Sequence, residues 1–460
     1  MEIKVFNDLV HGHMIFHPLI VAVVDTRHMQ RLRNIKQLGA CYFVYPSASH
    51  NRFEHCLGTA HIAGQLIDNL KKKKKFLTDE EEKKWEQNKL CVQIAGLCHD
   101  VGHGPFSHTW EKFHRRVHPD ENWTHEVESM KIFNEILDES ISPTKKFNGK
   151  NVKTVRDAFE LYGLNSGDIA FIKRMILGNK TPKNYLYQIV SNKNNDIDVD
   201  KWDYLARDSI MLNLPVGFDY RRLLNFCRIL KNSEGEEEIC FREKECSLLI
   251  EMFMARGRLH DKAYQHIKVK IIEEMLIDAF ELANERMKLT DTPVSQLTDH
   301  IFYKILYEDF GSDENMLNAK KILRRIENRN LYECLFRKPL ERDIQDTKDI
   351  KKQIGSAPGL GLYISDIDVI TIKLDMTVSN KEKALKNVLV YSKSNDENIS
   401  STKFDWHKYQ DSLKPNLEKM ERYQLLVLYK GEKQFPDSLK CDLEDHFQRN
   451  QITISEFVIS

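Results

Sequence analysis

An apolar segment that ends in His-Asp constrains the fold of this 460-residue chain more than any other feature. Residues 90–98 (LCVQIAGLC) are apolar on nearly every side, which is typical of a helix at the centre of a helical core. His99 and Asp100 follow directly, and the glycine-rich stretch after them adds His103 and His108. Because burying such groups without partners costs several kcal/mol, the segment indicates a bound cation.

Helical periodicity covers most of the chain as far as about residue 340. Residues 55–70 and 267–287 have the spacing of amphipathic helices. Beyond residue 340 the pattern changes to the alternation of half-buried strands. The alternating stretches are 369–376, 387–393 and 423–430. We therefore predict a mainly α fold, with a large helical core over residues 1–340 and a smaller α+β lobe over residues 341–460.

Three polar stretches interrupt this pattern. Residues 71–89 are rich in charge and residues 138–153 in turn formers, so both are predicted to be surface insertions. The five lysines at 71–75 are followed by acidic residues, which favours a solvated segment over a nuclear-import or nucleic-acid signal. Residues 341–359 are predicted to be a mobile linker.

Composition indicates a soluble globular protein without a global electrostatic field. Hydrophobic residues make up 41% of the chain, and 69 Lys and Arg balance 69 Asp and Glu. The nine cysteines include no CxxC pair, which predicts reduced, buried thiols. Neither a signal peptide nor an apolar run of membrane-spanning length is apparent, so we expect an intracellular protein, in cytoplasm or nucleus, without a membrane partner.

Two further segments carry candidate metal ligands. RFEHCLG places His55 near the start of a helix, and NDIDVDKWDYLARD carries an acidic cluster that includes Asp200. Imidazole nitrogens with carboxylate oxygens suit Zn, Mn, Fe or Ni, and the sequence does not choose among these metals. The order His55, His99-Asp100, Asp200 resembles the pattern of the HD phosphohydrolase superfamily, in which these four residues would bind one catalytic transition metal.

Longer blocks resemble a particular family, the vertebrate SAM-and-HD-domain deoxynucleoside triphosphate (dNTP) triphosphohydrolases. The matching blocks are residues 4–14, 30–58, 90–108, 191–208 and 263–266. They correspond to the catalytic core of that family, whereas the C-terminal strands match only loosely, and we expect the SAM module to be absent. The resemblance implies hydrolysis of dNTPs to a deoxynucleoside and tripolyphosphate, with Mg²⁺ accompanying the nucleotide phosphates.

The resemblance also implies substrate contacts. They are Arg52, Lys201 and Arg256 for the triphosphate; Gln37 and Asp208 for the sugar 3′-hydroxyl; Leu38 and Tyr264 against the sugar face; and Tyr204 for phosphate and sugar together. Pressure on the sugar face would exclude a 2′-hydroxyl and so select deoxyribose.

The family chemistry requires a general acid for the departing 5′ oxygen. His108 and His125 are the candidates, and His103 would lie beside the phosphates. Glu111 would orient this relay where the family carries an aspartate, one methylene shorter. We expect this difference to preserve the role.

Relatives in this family are activated when nucleotides assemble them, from dimer to tetramer. Positions matching a guanine-selective pocket (GTP) are Lys4, Val5, Asp25, Gln30, Arg33, Phe53 and Arg329; those matching a second pocket, for any dNTP, are Asn7, Val44, Arg222, Arg242, Lys244, His266 and Lys393. Glu333, Leu248 and Ile267 depart from polar or cationic family residues, which predicts a weaker or altered nucleotide requirement. The family also suggests lowering of cellular dNTP and an antiviral role.

Two alternatives stay open at this point. The same metal and fold would serve an enzyme that cleaves another nucleotide phosphoester, such as a cyclic or alarmone nucleotide. A module that binds nucleotides or single-stranded nucleic acid with weak activity is the other alternative. The candidate sugar contacts favour the dNTP enzyme over the first, and the full ligand set argues against the second.

Overall fold

The structure, a computed structural model, describes residues 3–74, 78–178, 184–340, 344, 347–356, 359–375, 385–392, 401–405 and 421–449. Its helices are α1 (Pro18–Val24), α2 (Arg27–Arg31), α3 (Arg52–Lys71), α4 (Asp79–Cys98), α5 (His108–Val117), α6 (His125–Asp138), α7 (Val155–Leu161), α8 (Ser166–Leu177), α9 (Tyr187–Val190), α10 (Val199–Met211), α11 (Tyr220–Phe226), α12 (Cys246–Leu259), α13 (Ile267–Met287), α14 (Ile301–Tyr307), α15 (Glu314–Glu327), α16 (Lys348–Ser356) and α17 (Asp437–Arg449). Its strands are β1 (Lys4–Asp8), β2 (Gly12–Phe16), β3 (Lys146–Phe147), β4 (Lys150–Asn151), β5 (Arg228–Lys231), β6 (Glu237–Arg242), β7 (Glu333–Leu340), β8 (Ile367–Asp375), β9 (Leu389–Tyr391), β10 (Thr402–Lys403) and β11 (Glu421–Tyr429).

Helices α3 and α4 lie side by side in the main hydrophobic core. The second half of α4 is almost wholly buried, as its apolar sequence predicts. The two helices approach so closely that a Cβ added at Gly96 would lie 3.3 Å from the backbone of Ala60. This packing brings the first turn of α3 near the last turn of α4. The prediction of a mainly α fold is confirmed.

An antiparallel hairpin, β1–β2, opens the described chain. Met14 and Phe16 of β2 are buried in the main core, whereas Val5 and Ile15 are exposed on the other face. The Asp8 carboxylate accepts hydrogen bonds from the backbone N–H groups of Val10 and His11, so it fixes the turn. The turn therefore holds His11 in a defined place.

A three-stranded antiparallel sheet, in the order β7-β11-β8, separates the main core from a smaller apolar cluster. On β8, Val369 packs in the small cluster and Ile372 in the main core. Neighbouring β11 likewise directs Leu425 and Leu426 into different clusters. The prediction of half-buried strands, with one face exposed to solvent, was wrong here, because this sheet buries apolar residues on both sides.

The predicted linker and insertions turn out to contain regular structure. Within residues 341–359, α16 buries Ile350 and Ile354, an i, i+4 pair obscured by polar neighbours. Most of the 71–89 stretch lies in α4, with its charges exposed as predicted. Residues 146–151 form a small hairpin inside the second insertion.

Residues near position 340 do not separate cleanly into two regions. Strand β9 pairs in parallel with β6 of the preceding region, and β7 ends at Leu340 while belonging to the C-terminal sheet. The domain boundary at 340 stays a prediction.

Seven of the nine cysteines are buried and all nine are free thiols. Among the described residues, no helix combines the length and apolarity needed to traverse a bilayer.

Candidate functional site

Three helix ends meet beneath a cavity in the main core. Helix α3 begins with a capping box between Asn51 and Glu54, which places His55 in its first turn. Helix α4 ends at Cys98, so His99 and Asp100 emerge from its C-terminus. Helix α10 begins after Asp198, whose side chain accepts a hydrogen bond from the Lys201 N–H. Asp200 therefore lies in the first turn of α10.

These helix ends bring two imidazoles and a carboxylate within contact distance. Asp200 Oδ1 lies 3.1 Å from His55 Nε2 and 3.4 Å from His99 Nε2. Both histidines are buried, and the Asp200 side chain is 28% exposed toward the cavity. The three donor atoms lie within 4.8 Å of one another, a geometry that can hold a divalent metal.

The second nitrogen of each imidazole is held in a way that frees Nε2. His55 Nδ1 lies 2.8 Å from Asp203 Oδ2, and His99 Nδ1 lies 2.8 Å from the Gly96 carbonyl oxygen. Each Nδ1 therefore carries the proton and donates it, which leaves a lone pair on Nε2. Both Nε2 atoms are buried and make no hydrogen bond. Two buried lone pairs beside a carboxylate fit a metal ion well.

The local electrostatics also favour a cation. Burial opposes a positive charge on His55, but Asp200 and Asp203 outweigh it and raise the pKa of the imidazole to about 10. Burial likewise opposes ionisation of Asp200, whose pKa the two histidines nevertheless lower. Without a metal, His55 Nε2 would therefore hold a second proton at pH 7, and a bound metal ion would replace that proton and use the lone pair.

Asp100 lies beside this group and is shared with an arginine. Its oxygens are 3.5 Å from His55 Nε2 and 3.4 Å from His99 Nε2. The Arg52 guanidinium forms an ion pair with Asp100 and donates to Ser107 Oγ at 2.9 Å. Arg52 therefore links the candidate metal ligands to the wall of the cavity.

The cavity has a volume of about 620 Å³, enough for a nucleotide. Its charged lining residues are the seven cations Arg52, Lys112, Arg115, Lys193, Lys201, Arg256 and Lys270 and the five acids Asp100, Glu111, Asp200, Asp208 and Glu273. The whole chain is neutral. Positive charge is therefore concentrated here, and a divalent metal would add to it, which suits a polyanionic ligand.

The candidate sugar contacts lie together on one wall. Asp208 accepts a hydrogen bond of 2.5 Å from the Tyr264 hydroxyl and lies 2.7 Å from His50 Nε2. A short π-helix, His260–Tyr264, carries Tyr264 to this position. Gln37 is buried nearby with an unpartnered side-chain oxygen, and Leu38 also lines the cavity.

Like Arg52, the other two predicted cationic phosphate contacts already have partners. Lys201 Nζ pairs with Asp198 at 3.0 Å, and burial, which opposes its charge, is outweighed by that carboxylate, so the lysine pKa is raised. Arg256 Nε donates to the Tyr204 hydroxyl at 3.2 Å. Both cations line the cavity. They are therefore fixed in place before any ligand arrives.

Three histidines and a glutamate form a second cluster on the cavity wall. The rings of His103 and His125 stack with centroids 4.0 Å apart, and His108 meets both edge-on. Glu111 Oε2 lies 3.3 Å from His125 Nδ1 and 3.5 Å from His108 Nδ1. Burial, then Arg52, lowers the pKa of His103 well below its usual value, so this ring is neutral at pH 7.

Some residues that shape the site escaped the sequence analysis. Arg31 is buried, and its guanidinium donates to four carbonyl oxygens, including those of Val101 and His103. It thereby holds the turn between α4 and α5. In the same turn Phe106 and Ser107 have φ of 56° and 58°, a left-handed backbone that is rare outside glycine. Nothing in the local sequence signals Arg31 as a clamp.

Asp203 was missed although its position was readable. It lies three residues after Asp200 on α10, so both carboxylates face α3. Its side chain is fully buried and contacts His55, His11 and Arg207. The i, i+3 spacing within DVDKWD was the signal for a second acidic residue behind the first.

The proposed activator positions form several separate groups in the single chain. Lys4 pairs with Asp25 at 3.3 Å, and the Arg33 guanidinium lies 3.6 Å from the Phe53 ring centre. Five other positions fall near these or near one another: Gln30 bonds Arg33, Arg222 and Arg242 share Glu245, and His266 packs on Tyr45 next to Val44. Val5, Asn7, Lys244 and Arg329 are also exposed, and Arg329 donates to the Phe43 carbonyl, next to Val44. Lys393 lies outside the described residues.

Known proteins resemble this chain over most of its length. The HD domain family model matches residues 52–208, the span from Arg52 to Asp208. "Deoxynucleoside triphosphate triphosphohydrolase SAMHD1" of Bos taurus is 38% identical over 433 residues, covering 85% of this chain and 70% of the relative. The Mus musculus protein of that name is 39% identical, over 86% of this chain but 64% of its own length, just under two thirds. A Dictyostelium discoideum homolog is 35% identical, and the match covers 82% of this chain and 69% of the relative.

Proposed function

This chain belongs to the SAMHD1-type HD-domain family of deoxynucleoside triphosphate triphosphohydrolases, and we propose that it hydrolyses dNTPs to a deoxynucleoside and tripolyphosphate. One observation carries the proposal. Two buried imidazoles direct unpartnered Nε2 atoms at Asp200, at the floor of a cavity whose lining is rich in cations. That arrangement suits a metal ion and a polyphosphate side by side.

His55, His99 and Asp200 would hold the metal, with Asp100 as the fourth ligand once Arg52 turns to a phosphate. A divalent ion there would neutralise phosphoryl charge and lower the pKa of a nearby water. The donor set suits Zn, Fe or Mn, while Mg²⁺ would accompany the nucleotide phosphates. The chain's own residues would provide binding, orientation and proton transfer.

The cations would bind the triphosphate, and the wall formed by Gln37, Asp208 and Tyr264 would bind the sugar. Asp208 is held by two neighbours, and it would accept a hydrogen bond from the 3′-hydroxyl. Tyr264 and Leu38 would contact the sugar face and leave no room for a 2′-hydroxyl. This wall favours a dNTP over a ribonucleotide or a cyclic phosphoester.

The proton needed at the 5′ oxygen would come from the histidine cluster. As a water oxygen bonds to the α-phosphorus, the bond from that phosphorus to O5′ breaks, so the departing oxygen must gain a proton. Glu111 lies 3.3 Å from His125 Nδ1 and 3.5 Å from His108 Nδ1, where it would orient the Nε2 side of either ring toward the substrate. For His108 this carboxylate only partly offsets burial, which lowers the pKa of the imidazole and so makes it a readier proton donor. His103, neutral and buried, would lie against the phosphates.

We further propose nucleotide activation linked to assembly. Lys4 and Asp25 place a cation and a carboxylate together on the surface, where a guanine base with its phosphates could engage both. Exposed apolar side chains of the hairpin, Val5 and Ile15, would be covered in an oligomer. Glu333 pairs with Lys440 instead of contributing a cation, which supports a changed nucleotide requirement.

The test is a product assay with purified protein, dGTP and Mg²⁺, with and without GTP, followed by ion-exchange separation. We expect deoxyguanosine and tripolyphosphate, and little turnover of GTP alone. The same preparation analysed by light scattering reports assembly. Formation of dGMP or dGDP would refute the proposed cleavage.

A matched pair of variants ties the activity to the site. His99→Ala with Asp100→Ala should abolish turnover and remove the bound metal. His300→Ala, an exposed histidine away from the cavity, should leave both unchanged. Full activity in the double variant would contradict the metal assignment.

A further inference from the structure

Asp203 lies directly behind His55 and has both carboxylate oxygens fully engaged. Oδ2 accepts from His55 Nδ1 at 2.8 Å and from Arg207 Nε at 2.9 Å. Oδ1 lies 2.6 Å from His11 Nε2 and accepts from Arg207 Nη2 at 2.9 Å. The Asp203 side chain is completely buried. A carboxylate with four such donors cannot rotate, so it fixes the orientation of the His55 ring.

Two of these donors tie the carboxylate to the turn of the β1–β2 hairpin. His11 belongs to that turn, and its Nδ1 lies 2.9 Å from the Tyr220 hydroxyl. In the neutral His11 ring Nε2 donates to Asp203, so Nδ1 accepts from the Tyr220 hydroxyl. Arg207 reaches the same turn, where its Nη1 donates to Asp8 Oδ2 at 2.8 Å. The hairpin turn and α10 therefore share one buried polar network.

Helix α3 is shaped to admit this network. Gly58 lies three residues after His55, and a Cβ there would come within 1.8 Å of Asp203 Oδ1 and 2.6 Å of Arg207 Nη2. Side chains larger than hydrogen at this position would displace the carboxylate. The close approach places Asp203 within reach of the imidazole that it orients.

We propose that Asp203 is a positioning residue for His55. His11 and the Arg207–Asp8 pair connect Asp203 to the hairpin turn, so metal affinity also depends on how this turn packs. The inference rests on the proposed function, because it assumes that His55 binds a metal. The hairpin turn would then act as a support for the metal centre, although it lies outside the cavity lining. Loosening the turn would let the His55 ring rotate away from Asp200.

Asp203→Asn is the most direct perturbation. Each oxygen of Asp203 faces two N–H groups, so an amide nitrogen in either place would meet two donors. The remaining amide oxygen could still accept from His55 Nδ1, but it carries no charge and the opposed donors would displace it, while the volume of the side chain stays the same. We expect Mn²⁺ to bind about 10- to 100-fold more weakly.

The contribution of the hairpin turn to metal affinity is tested by His11→Ala and its conservative counterpart His11→Gln. Alanine removes the donor to Asp203, whereas a glutamine amide can replace it, so His11→Gln should retain more of the wild-type affinity. His61→Ala is the matched control, because this ring packs 5.7 Å from His11 but makes no hydrogen bond to Asp203. It should bind Mn²⁺ like the wild type.

The readouts are metal content of the purified proteins by mass spectrometry, Mn²⁺ titration of chelator-stripped protein by calorimetry, and melting temperature. Excess Mn²⁺ should restore kcat in Asp203→Asn with KM for dGTP unchanged. If a folded Asp203→Asn protein binds Mn²⁺ with wild-type affinity, the positioning role alone is overturned. If Asp203→Asn does not fold, wild-type affinity in His11→Ala has the same consequence. Lack of stoichiometric metal in the wild type would overturn the proposed function as well.

Discussion

Replacing Gly58 by alanine sets two effects of opposite sign against each other. Helix propensity alone predicts that Gly→Ala inside α3 stabilises the protein by about 1 kcal/mol. The added Cβ would, however, lie 1.8 Å from Asp203 Oδ1, where real contacts are at least 3.0 Å. The carboxylate or the whole of α10 must then retreat by roughly 1 Å. The sign of the change in stability tells which effect prevails.

The retreat would break most of the hydrogen bonds of Asp203. They are 2.6 to 2.9 Å long, so a displacement of that size takes them beyond bonding distance. Breaking a buried ion pair while its partners stay buried costs about 3–5 kcal/mol. After the gain in propensity, the free energy of unfolding should fall by roughly 2–4 kcal/mol. For a chain of this length that corresponds to a melting temperature about 2–4 °C lower.

The assay is thermal unfolding of the wild type, Gly58→Ala and Gly64→Ala, with metal content measured on the same samples. Gly64 lies on the same helix, but a Cβ there would meet the amide end of Gln93, which can rotate away. Gly64→Ala should therefore stay within about 1–2 °C of the wild type and keep its metal. A Gly58→Ala protein that melts at or above the wild type with full metal would refute the close packing of α3 on Asp203.

Two further predictions concern the fold. His28 is buried, and burial, followed by Arg27 and Arg31, lowers its pKa to about 4. Because the folded pKa lies below the unfolded value of 6.5, the stability that neutral His28 provides is complete above pH 6.5 and is lost as the pH falls toward 4. At pH 5 the loss should be about 2 kcal/mol. Urea unfolding at several pH values should show that His28→Gln flattens this dependence. Ile354→Ala should lower the free energy of unfolding by about 2–4 kcal/mol in the same assay, whereas Lys352→Ala, at an exposed position, should leave it unchanged. An Ile354→Ala protein as stable as the wild type would mean that α16 does not pack on the sheet.

Helices with long, regular patterns were predictable because their own residues determine them. The amphipathic stretch 267–287 became α13 with the same bounds, since twenty-one residues of consistent periodicity leave little ambiguity. Helix α16 was missed because it has only nine residues and two buried isoleucines among charges. Its stability comes from packing on the sheet, which no local pattern records.

The candidate ligands could be named from sequence because their chemistry is distinctive. Histidine beside aspartate at the end of an apolar helix is unusual wherever it occurs, and the resemblance supplied the partners His55 and Asp200. The network behind them was hidden for the opposite reason. The spacing of Asp200 and Asp203 signalled a second carboxylate, but its partner His11 is 192 residues away and stands in no unusual local sequence.

The structure accounts for this difference through the direction of the hydrogen bonds. A metal needs lone pairs, so each ligand histidine must donate its other proton to something behind it. His99 donates to the carbonyl of Gly96 on its own helix, which any residue could provide, and its support is therefore invisible in sequence. His55 Nδ1 instead bonds a carboxylate on another helix, Asp203, which is held in turn by its own donors His11 and Arg207. The ligand whose support lies outside its own helix is the one that a distant change can disturb.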